Sequence, residues 1–316
     1  MSRATALLAL LIVAGLAACL GPYPDIGERL DVGSKVVGTS YVSVDGGWTR
    51  ILILAPLDGG PAPYTRIDDT QPRAVETLQG TWAGAGEDAV TFSSTIVFNL
   101  PDEHTLPVSS RKGATRRELV PPQVAQATAA ISGDVLDLTG APAVAAHYRT
   151  LLGRTAQITG TDATASACAF HVAQLAVESS EARIPGFNSA GLTQYLNRVE
   201  PFDGILSGQV TVGLVGLFSP VVTTTFIGYA DFEGVVLDGV QVSSTNGSGD
   251  GTLSGVLSFQ IAREGLPPID GQVDYREITL SGGNESGNYL ITLDGGTQIR
   301  VPTGPWSPPL AQCLGF

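Results

Sequence analysis

The chain has few of the residues on which most catalytic and metal-binding sites depend. The chain has 316 residues, of which only three are histidine and three are cysteine. Charged residues make up 15% of the chain. It contains no G-x-S-x-G turn, no Walker A loop, no G-x-G-x-x-G run opening a helix and no H-E-x-x-H motif. It also lacks a C-x-x-C pair, which argues against thioredoxin-like redox chemistry and a structural zinc site. We therefore expect no cofactor and no metal.

Positive charge is also scarce. The sequence contains seventeen Lys and Arg residues and thirty Asp and Glu residues, for a formal net charge of −13. Only Lys35 and Lys112 are lysines. An acidic surface repels phosphate backbones, so we expect no nucleic-acid partner. The one basic cluster, residues 111–117, is interpreted as a solvated loop, with contact to anionic lipid headgroups as the alternative.

No apolar run of the sequence is long enough to span a bilayer as a permanent helix. At the N terminus, Arg3 precedes a stretch of Ala, Leu, Ile and Val from Ala4 to Leu16, and small residues then lead to Cys19. This segment resembles the lipobox signal of bacterial lipoproteins. The alternatives are an ordinary secretory signal and an N-terminal anchor helix. The resemblance implies that residues 1–18 are removed and that Cys19 is acylated, with diacylglycerol and palmitate.

The same resemblance predicts where the protein resides. Membrane lipid becomes a partner through the acylated Cys19, and residues 19–34, rich in Pro and Gly, are interpreted as a tether. Leu20 stands where, in well-studied lipoproteins, an Asp retains the protein at the inner membrane. We therefore expect a lipid-anchored protein of the cell envelope, at the outer membrane.

The composition predicts a mainly β fold, because low charge with abundant Gly, Val, Thr and Ser favours strands joined by turns. We expect an antiparallel meander closed as a sandwich or barrel, with a mixed α/β middle segment. Residues 35–122 form the predicted N-terminal β region, residues 123–200 the mixed segment with short helices, and residues 201–316 the C-terminal β region. The last of these ends in a Pro-rich tail that is predicted to lie extended over the surface.

The middle segment contains four Ala-rich or periodic stretches that are candidate helices. They cover residues 124–130, 144–152, 167–177 and 190–198, the last with Ser189 as a possible cap. Residues 131–138 alternate and are predicted to form a strand.

The C-terminal region is marked by turn signals and alternation. Asp-Gly pairs begin at residues 203, 238, 250, 270 and 294, with Asn246-Gly247 as a further pair, and each is a favoured hairpin turn. Leu253, Leu257, Phe259 and Ile261 are predicted to share one buried face. The apolar phase switches between Tyr275 and Ile278, which indicates a bulge.

Phrases such as Asp-Phe-Glu-Gly and Leu-Ser-Gly-Val-Leu-Ser-Phe recur between residues 231 and 301. They are similar to the Gly-punctuated β segments of β-rich envelope lipoproteins. This resemblance implies a style of fold and no activity.

If Cys19 is acylated, Cys168 and Cys313 remain as a pair in an oxidising compartment. We predict a disulfide between them, with two buried free thiols as the alternative. His171 follows Cys168 by three residues, so that a metal site with His147 would be possible only if Cys168 stayed reduced. A core or interface histidine is the favoured interpretation of His171.

Three further groups of residues have a functional and a structural interpretation. Asp102, Glu103 and His104 suggest a base oriented by a carboxylate, although an exposed acidic loop tip is favoured. The segment 246–250 suggests calcium binding, although a hairpin tip is favoured. Three tryptophans suggest a sugar-stacking platform, although packing is favoured; they are Trp48, Trp82 and Trp306.

These observations favour a non-catalytic structural or binding role in the bacterial envelope, with another envelope protein or a glycan as partner. One alternative is a secreted hydrolase without a short motif, in which residues 102–104 are the only cluster worth testing. The other is an accessory subunit of an export machine, which would present a large exposed apolar patch.

Overall fold

The computed structural model of the chain describes residues 39–45, 48–53, 64–68, 74–84, 89–98, 123–140, 146–184, 190–282 and 284–316. Within these residues the fold is mainly β and antiparallel, with few helices, which confirms the predicted fold class. The strands form two sheets, a first sheet of β1–β8 and a second sheet of β9–β16.

The first sheet is an antiparallel meander in which each strand pairs with the next along the chain. Strand β8 pairs back with β1 at Tyr41 and Val42, so the hydrogen-bonded strand order closes on itself. Its strands are β1 Ser40–Asp45, β2 Trp48–Ile53, β3 Tyr64–Asp68, β4 Ala74–Gly84, β5 Ala89–Phe98, β6 Gln123–Ser132, β7 Val135–Thr139 and β8 Ala146–Thr150.

The second sheet is also a meander, but it stays open, with β9 and β16 as its edges. Three helices and one 3-10 helix accompany it: α1 Leu151–Thr155, α2 Ala163–Arg183, the 3-10 helix Ala190–Tyr195 and α3 Leu310–Cys313. Its strands are β9 Val199–Asp203, β10 Ser207–Val215, β11 Val221–Ala230, β12 Val235–Thr245, β13 Gly251–Arg263, β14 Leu266–Ser281, β15 Asn284–Leu293 and β16 Ile299–Pro302.

Helix α2 is the centre of the hydrophobic core. Asp162 caps it by accepting a hydrogen bond from the backbone N–H of Ala165 at 2.8 Å. Every residue from Ala165 to Val177 is buried, so the helix is enclosed on all sides rather than along one stripe. The predicted helix at residues 167–177 is confirmed as part of α2.

Alternation in the second sheet agrees with the sequence pattern. Leu253, Leu257, Phe259 and Ile261 are all buried and contribute to the core around α2. The predicted phase switch is a register shift between Asp274 and Glu277, where β14 pairs with β15. The bulge keeps both Tyr275 and Ile278 in the core, since one extra residue rotates the following side chains to the other face.

Two of the predicted turns are wrong. Asp238-Gly239 lies within β12 and Asp270-Gly271 within β14, and both glycines are paired with a strand on each side. Gly239 has φ +129°, and a Cβ there would lie 2.3 Å from the carbonyl oxygen of Val256. A Cβ on Gly271 would lie 2.1 Å from Cζ of Phe259. Both glycines permit neighbouring groups of the sheet to approach their backbone closely. From sequence alone, an Asp-Gly pair in this role cannot be distinguished from an Asp-Gly turn.

Two of the predicted helices are also wrong, and a third is of another type. Residues 124–130 lie in β6, which is paired with β5 and β7, because two neighbouring strands outweigh the helix preference of Ala. Residues 146–150 form β8, and helix α1 begins only at Leu151. Residues 190–195 form a 3-10 helix. The alternation at residues 131–138 is divided between β6 and β7 by a turn at residues 133–134.

The two sheets meet through β1, α1 and the ends of β12 and β13. The backbone N–H of Glu233 donates to Oγ of Ser40 at 2.8 Å, and the backbone N–H of Ser40 donates to Oε2 of Glu233 at 3.3 Å. Oγ of Thr155 in α1 donates to the carbonyl oxygen of Ala262 at 2.8 Å. These bonds place the first sheet at the β11–β12 end of the second sheet, which we call the proximal end.

Candidate functional site

Several residues singled out in the sequence lie outside the described residues. They include Cys19 with its signal segment and the cluster Asp102, Glu103 and His104. Trp48 and Trp82 lie in β2 and β4, with side chains outside the described part of the molecule.

The histidine and cysteine candidates do not converge on a metal site. Cys168 and Cys313 form a disulfide with an S–S distance of 2.08 Å, so neither offers a thiolate. His147 lies on β8, where its Nδ1 is 2.5 Å from Oδ1 of Asp137 at the surface. Within the described ranges, no group of three His, Cys, Asp or Glu side chains could hold a metal ion.

His171 is a core residue, as the favoured interpretation predicts. It is fully buried, and its ring stacks on Trp306 with centroids 4.3 Å apart and an angle of 10° between the planes. Its Nδ1 lies 3.8 Å from Sγ of Cys313. Burial lowers the pKa of His171 to about 3, so the ring is neutral at physiological pH.

Trp306 is 6% exposed, so it does not provide a sugar-stacking platform, and the Pro-rich tail is not extended over the surface as predicted. The tail instead folds back onto α2, where Leu310 and Leu314 are buried and the disulfide fixes α3. The tail folds back because its apolar side chains become buried. The short apolar stretches between its prolines did not indicate this burial in the sequence.

The segment 246–250 is a hairpin tip. Oδ1 of Asn246 accepts hydrogen bonds from the backbone N–H groups of Ser248 and Asp250, at 2.9 and 3.0 Å. Oδ1 of Asp250 accepts a hydrogen bond from the backbone N–H of Gly282 at 3.0 Å. These side-chain oxygens therefore stabilise backbone turns, which is the usual role of Asn and Asp at such positions.

The candidate binding site is a groove of about 440 Å³ on the outer face of the second sheet. It crosses β12 to β15 near the proximal end. Its polar side chains are Asp238, Ser258, Gln260, Asp270, Gln272 and Thr292. The face opposite to the core is polar because alternate residues of these strands point away from α2.

Strand register aligns the groove side chains in two rows. Asp238 is opposite Ser258, Ser258 is opposite Gln272, and Gln272 is opposite Thr292. This row crosses four strands and is about 14 Å long at the usual strand spacing. In the second row, Gln260 is opposite Asp270. Carboxylates, carboxamides and hydroxyls thus meet across strands, although they are far apart in sequence.

Hydrogen bonds hold the groove side chains in position. Nε2 of Gln260 donates to Oδ1 of Asp270 at 2.8 Å, and Nε2 of Gln272 donates to Oγ of Ser258 at 3.4 Å. Oδ1 of Asp238 accepts a hydrogen bond from the backbone N–H of Gly228 at 2.7 Å. Each of the two carboxylates, Asp238 and Asp270, is thereby oriented by a hydrogen bond to one of its oxygens. Both side chains remain exposed to ligand or water.

The electrostatics of the groove select against anions. Two carboxylates line it, and none of the described residues lining it is a Lys or Arg. The remaining donors and acceptors are amides and hydroxyls, which suit a ligand that both donates and accepts hydrogen bonds. The groove is therefore suited to a neutral or cationic polar ligand.

A second polar feature, inside the fold, was missed by the sequence analysis. His171, Gln174, Glu178 and Glu181 recur at i, i+3, i+7 and i+10 and so occupy one face of α2. The described interior contains no hydrogen-bond partner for Nε2 of His171 or Oε1 of Gln174. The spacing could have revealed this stripe, but apolar neighbours on every side of α2 obscured it.

Comparison with protein families, curated proteins and solved structures finds no match. Among the helices that the structure describes, none is long and apolar enough to cross a membrane.

Proposed function

We propose that this protein is a lipid-anchored envelope protein with a non-catalytic binding role, and that its outer groove binds a hydroxyl-rich glycan. The observation that carries the proposal is the row of Asp238, Ser258, Gln272 and Thr292 across four strands. A sugar presents adjacent hydroxyls that both donate and accept hydrogen bonds. Carboxylates accept hydrogen bonds from such hydroxyls, and carboxamides both donate to them and accept from them.

The dimensions of the groove support an oligosaccharide rather than a single sugar ring. The row is about 14 Å long, and the groove is open along the sheet surface rather than enclosed. An open polar groove also supports binding over catalysis, because the described part of the chain has no nucleophile and base held together in it.

The glycan proposal is tested by titrating the full-length lipidated protein in nanodiscs with neutral and anionic oligosaccharides. We expect neutral oligosaccharides to bind and Gln272→Ala to weaken binding about tenfold, the loss of about one hydrogen bond to a polar ligand. The matched control is Gln209→Ala, which removes the same side chain from β10 outside the groove and should leave the affinity unchanged. Equal loss in both variants, or preferential binding of anionic sugars, would contradict the proposal.

The anchor is tested separately. If Cys19 carries the lipid, Cys19→Ser should release the protein from washed membranes, since several acyl chains are needed for firm attachment. Because Leu20 replaces the retaining Asp, the unmutated protein should sediment with outer membranes in a sucrose gradient. Retention of the serine variant would refute the anchor, and recovery in the light, inner-membrane fraction would refute only the sorting.

A further inference from the structure

The outer face of the second sheet, opposite to α2, carries three rows of side chains towards its distal end, which is the end away from the first sheet. Paired residues of antiparallel strands point to the same face, so strand register defines each row. The middle row crosses β9 to β13 and consists of Val199, Gly213, Thr223, Val242 and Ser254.

Two further rows flank the middle row. The row on its proximal side crosses the same strands and consists of Pro201, Thr211, Thr225, Val240 and Val256. The row on its distal side crosses β10 to β13 and consists of Val215, Val221, Ser244 and Thr252. We call the three rows, together with Leu217 and Phe218 of the β10–β11 turn, the outer patch.

The rows of the outer patch point away from the core. Their neighbours along the strands are buried, as Val212 and Leu214 of β10, Phe226 of β11 and Leu253 of β13 show. None of the residues in the three rows is buried. Because side chains alternate between the two faces of a strand, the rows form one surface that a partner can reach.

The outer patch contains no charged residue, although the chain has a formal net charge of −13. Glu200 lies between two patch residues of β9, but it faces the inner side, opposite Val212, and pairs there with Arg198. A charge-free centre within a charged border is the usual anatomy of a protein–protein interface. Along the same strands and turns, and on the adjoining β14, the border consists of Asp203, Asp238, Asp250 and Asp274.

Exposed apolar side chains are concentrated in the outer patch. Phe218 is 90% exposed, and Val199, Val215 and Leu217 are each more than half exposed. With Val256 they account for five of the eight large apolar side chains that are exposed in the described residues. Single exposed apolar residues are ordinary, but a cluster on one face marks an interaction surface.

We propose that the outer patch is the interface through which two copies of this chain associate face to face. Two-fold symmetry brings the same patch of both copies together, so Thr223 at its centre lies near the axis. Stacked sheets pack about 10 Å apart through interdigitating side chains, which suits the Val and Thr residues of the rows. The patch shares no residue with the groove, so this interface does not depend on glycan binding.

The charge distribution selects a second copy as the occupant. Two copies that each carry a net charge of −13 repel one another over much of their surface, and they can meet without burying like charges where the surface has none. A partner with charged side chains gains no ion pair from the centre of the patch. An anionic lipid surface is repelled by the acidic chain, and the Thr and Ser hydroxyls of the rows would lose their hydration in lipid.

The edges of the second sheet are a poor route to association. Pro201 lies in the middle of the edge strand β9, and Pro302 ends the edge strand β16. Proline has no backbone N–H to donate and commonly protects sheet edges against the addition of a further strand. Within the described second sheet, the outer face is therefore the better place for a second copy to bind.

The area of the outer patch suits a weak dimer. At the usual spacings of strands and residues, the rows and the β10–β11 turn cover about 20 Å by 25 Å, which is about 500 Å². Two copies would bury about 1,000 Å² of flat area between them, the lower limit for a specific interface. We therefore expect a dissociation constant in the micromolar range.

The proposal is tested by sedimentation velocity of the full-length chain in a detergent that matches the density of the solvent. We expect a monomer–dimer equilibrium that tightens as salt is added, because salt screens the repulsion between two acidic copies. Thr223→Glu and Thr223→Lys should each weaken dimerisation at least about tenfold, by placing like charges together near the axis. An equimolar mixture of these two variants should dimerise again, since opposite charges then meet.

Matched controls separate the outer patch from general surface effects. Thr139→Glu adds the same charge at an exposed position of β7 in the first sheet and should leave the dissociation constant within about twofold. Val199→Ser with Val215→Ser removes two apolar side chains from the patch and should weaken dimerisation at least about tenfold. Leu266→Ser removes an exposed apolar side chain outside the patch and should have no such effect. Circular dichroism verifies that each variant is folded.

Several results would overturn the proposal. These are a monomer throughout the micromolar range, no effect of the Thr223 substitutions, an equal loss in Thr139→Glu, or no recovery in the mixture of the two Thr223 variants. Binding of the Cys19→Ser variant to lipid vesicles that is lost on adding Phe218→Ser would assign the outer patch to a membrane surface instead.

Discussion

Removal of the Cys168–Cys313 disulfide tests how the C-terminal tail contributes to stability. The bond joins α2 to α3 across 145 positions of the sequence. The double variant Cys168→Ala with Cys313→Ala removes the cross-link and leaves two small side chains. Leu310 and Leu314 are fully buried, and Trp306 stacks on His171, so we expect the folded tail to stay in place.

The expected loss therefore falls on the unfolded state. In the chain-entropy model, a closed loop of this length contributes about 5 kcal/mol at 25 °C, the upper end of the 2 to 5 kcal/mol observed when native disulfides are removed. We expect a lower midpoint of guanidinium unfolding. We also expect a larger dependence of the unfolding free energy on denaturant, because the unfolded chain without the cross-link exposes more surface.

The assay is guanidinium unfolding of both proteins, followed by tryptophan fluorescence and circular dichroism, with the unmutated protein under reducing conditions as a control. Mass spectrometry after alkylation without reductant establishes the starting state. A loss below about 1 kcal/mol would refute the loop-closure reasoning. Two alkylatable thiols, one each at Cys168 and Cys313, in the exported protein would refute the bond itself.

Three further changes probe the core. Gly271→Ala should cost about 2 kcal/mol, because its Cβ would meet the buried ring of Phe259 at 2.1 Å, whereas Gly247→Ala, with 3.9 Å to its nearest neighbour, should be near neutral in thermal unfolding. Asp231→Ala should cost about 3 kcal/mol in urea unfolding, because the buried carboxylate accepts hydrogen bonds from Tyr229 Oη at 2.6 Å and from a backbone N–H at 3.0 Å; an effect under 1 kcal/mol would contradict this. His171 has a pKa of about 3 when folded and 6.5 ordinarily, so its stabilising effect is complete above pH 6.5 and declines as the pH falls towards 3. In His171→Phe, stability should fall less steeply over that window, by up to about 1.4 kcal/mol per pH unit, and an unchanged slope would show that this ring does not titrate on unfolding.

Local patterns in the sequence predicted the elements whose neighbours agree with their own preference. The alternation from Leu253 to Ile261 and the phase switch before Ile278 are periodicities of a pleated strand, and each appears as predicted. The helix at residues 167–177 was also predicted correctly, although the pattern did not reveal that it would be enclosed on every side. Mainly antiparallel β structure followed from composition and turn frequency, both of which are local properties.

Only the tertiary structure decided which strands pair, and so which residues meet. Strand β6 exists because β5 and β7 satisfy its backbone groups, against the helical preference of its alanines. Gly239 and Gly271 lie inside strands at positions where an adjacent carbonyl oxygen or aromatic ring leaves no room for a side chain. Such effects depend on residues distant in sequence, which no local pattern reports.

The groove on the second sheet has the same origin. Asp238 and Thr292 are 54 positions apart in the chain but share one row of the groove, because register across β12 to β15 aligns them. The sequence by itself determined the type of fold and the resemblance of its N terminus to a lipoprotein signal. Non-local strand pairing, driven by burial of α2, decided which polar and apolar side chains form surfaces.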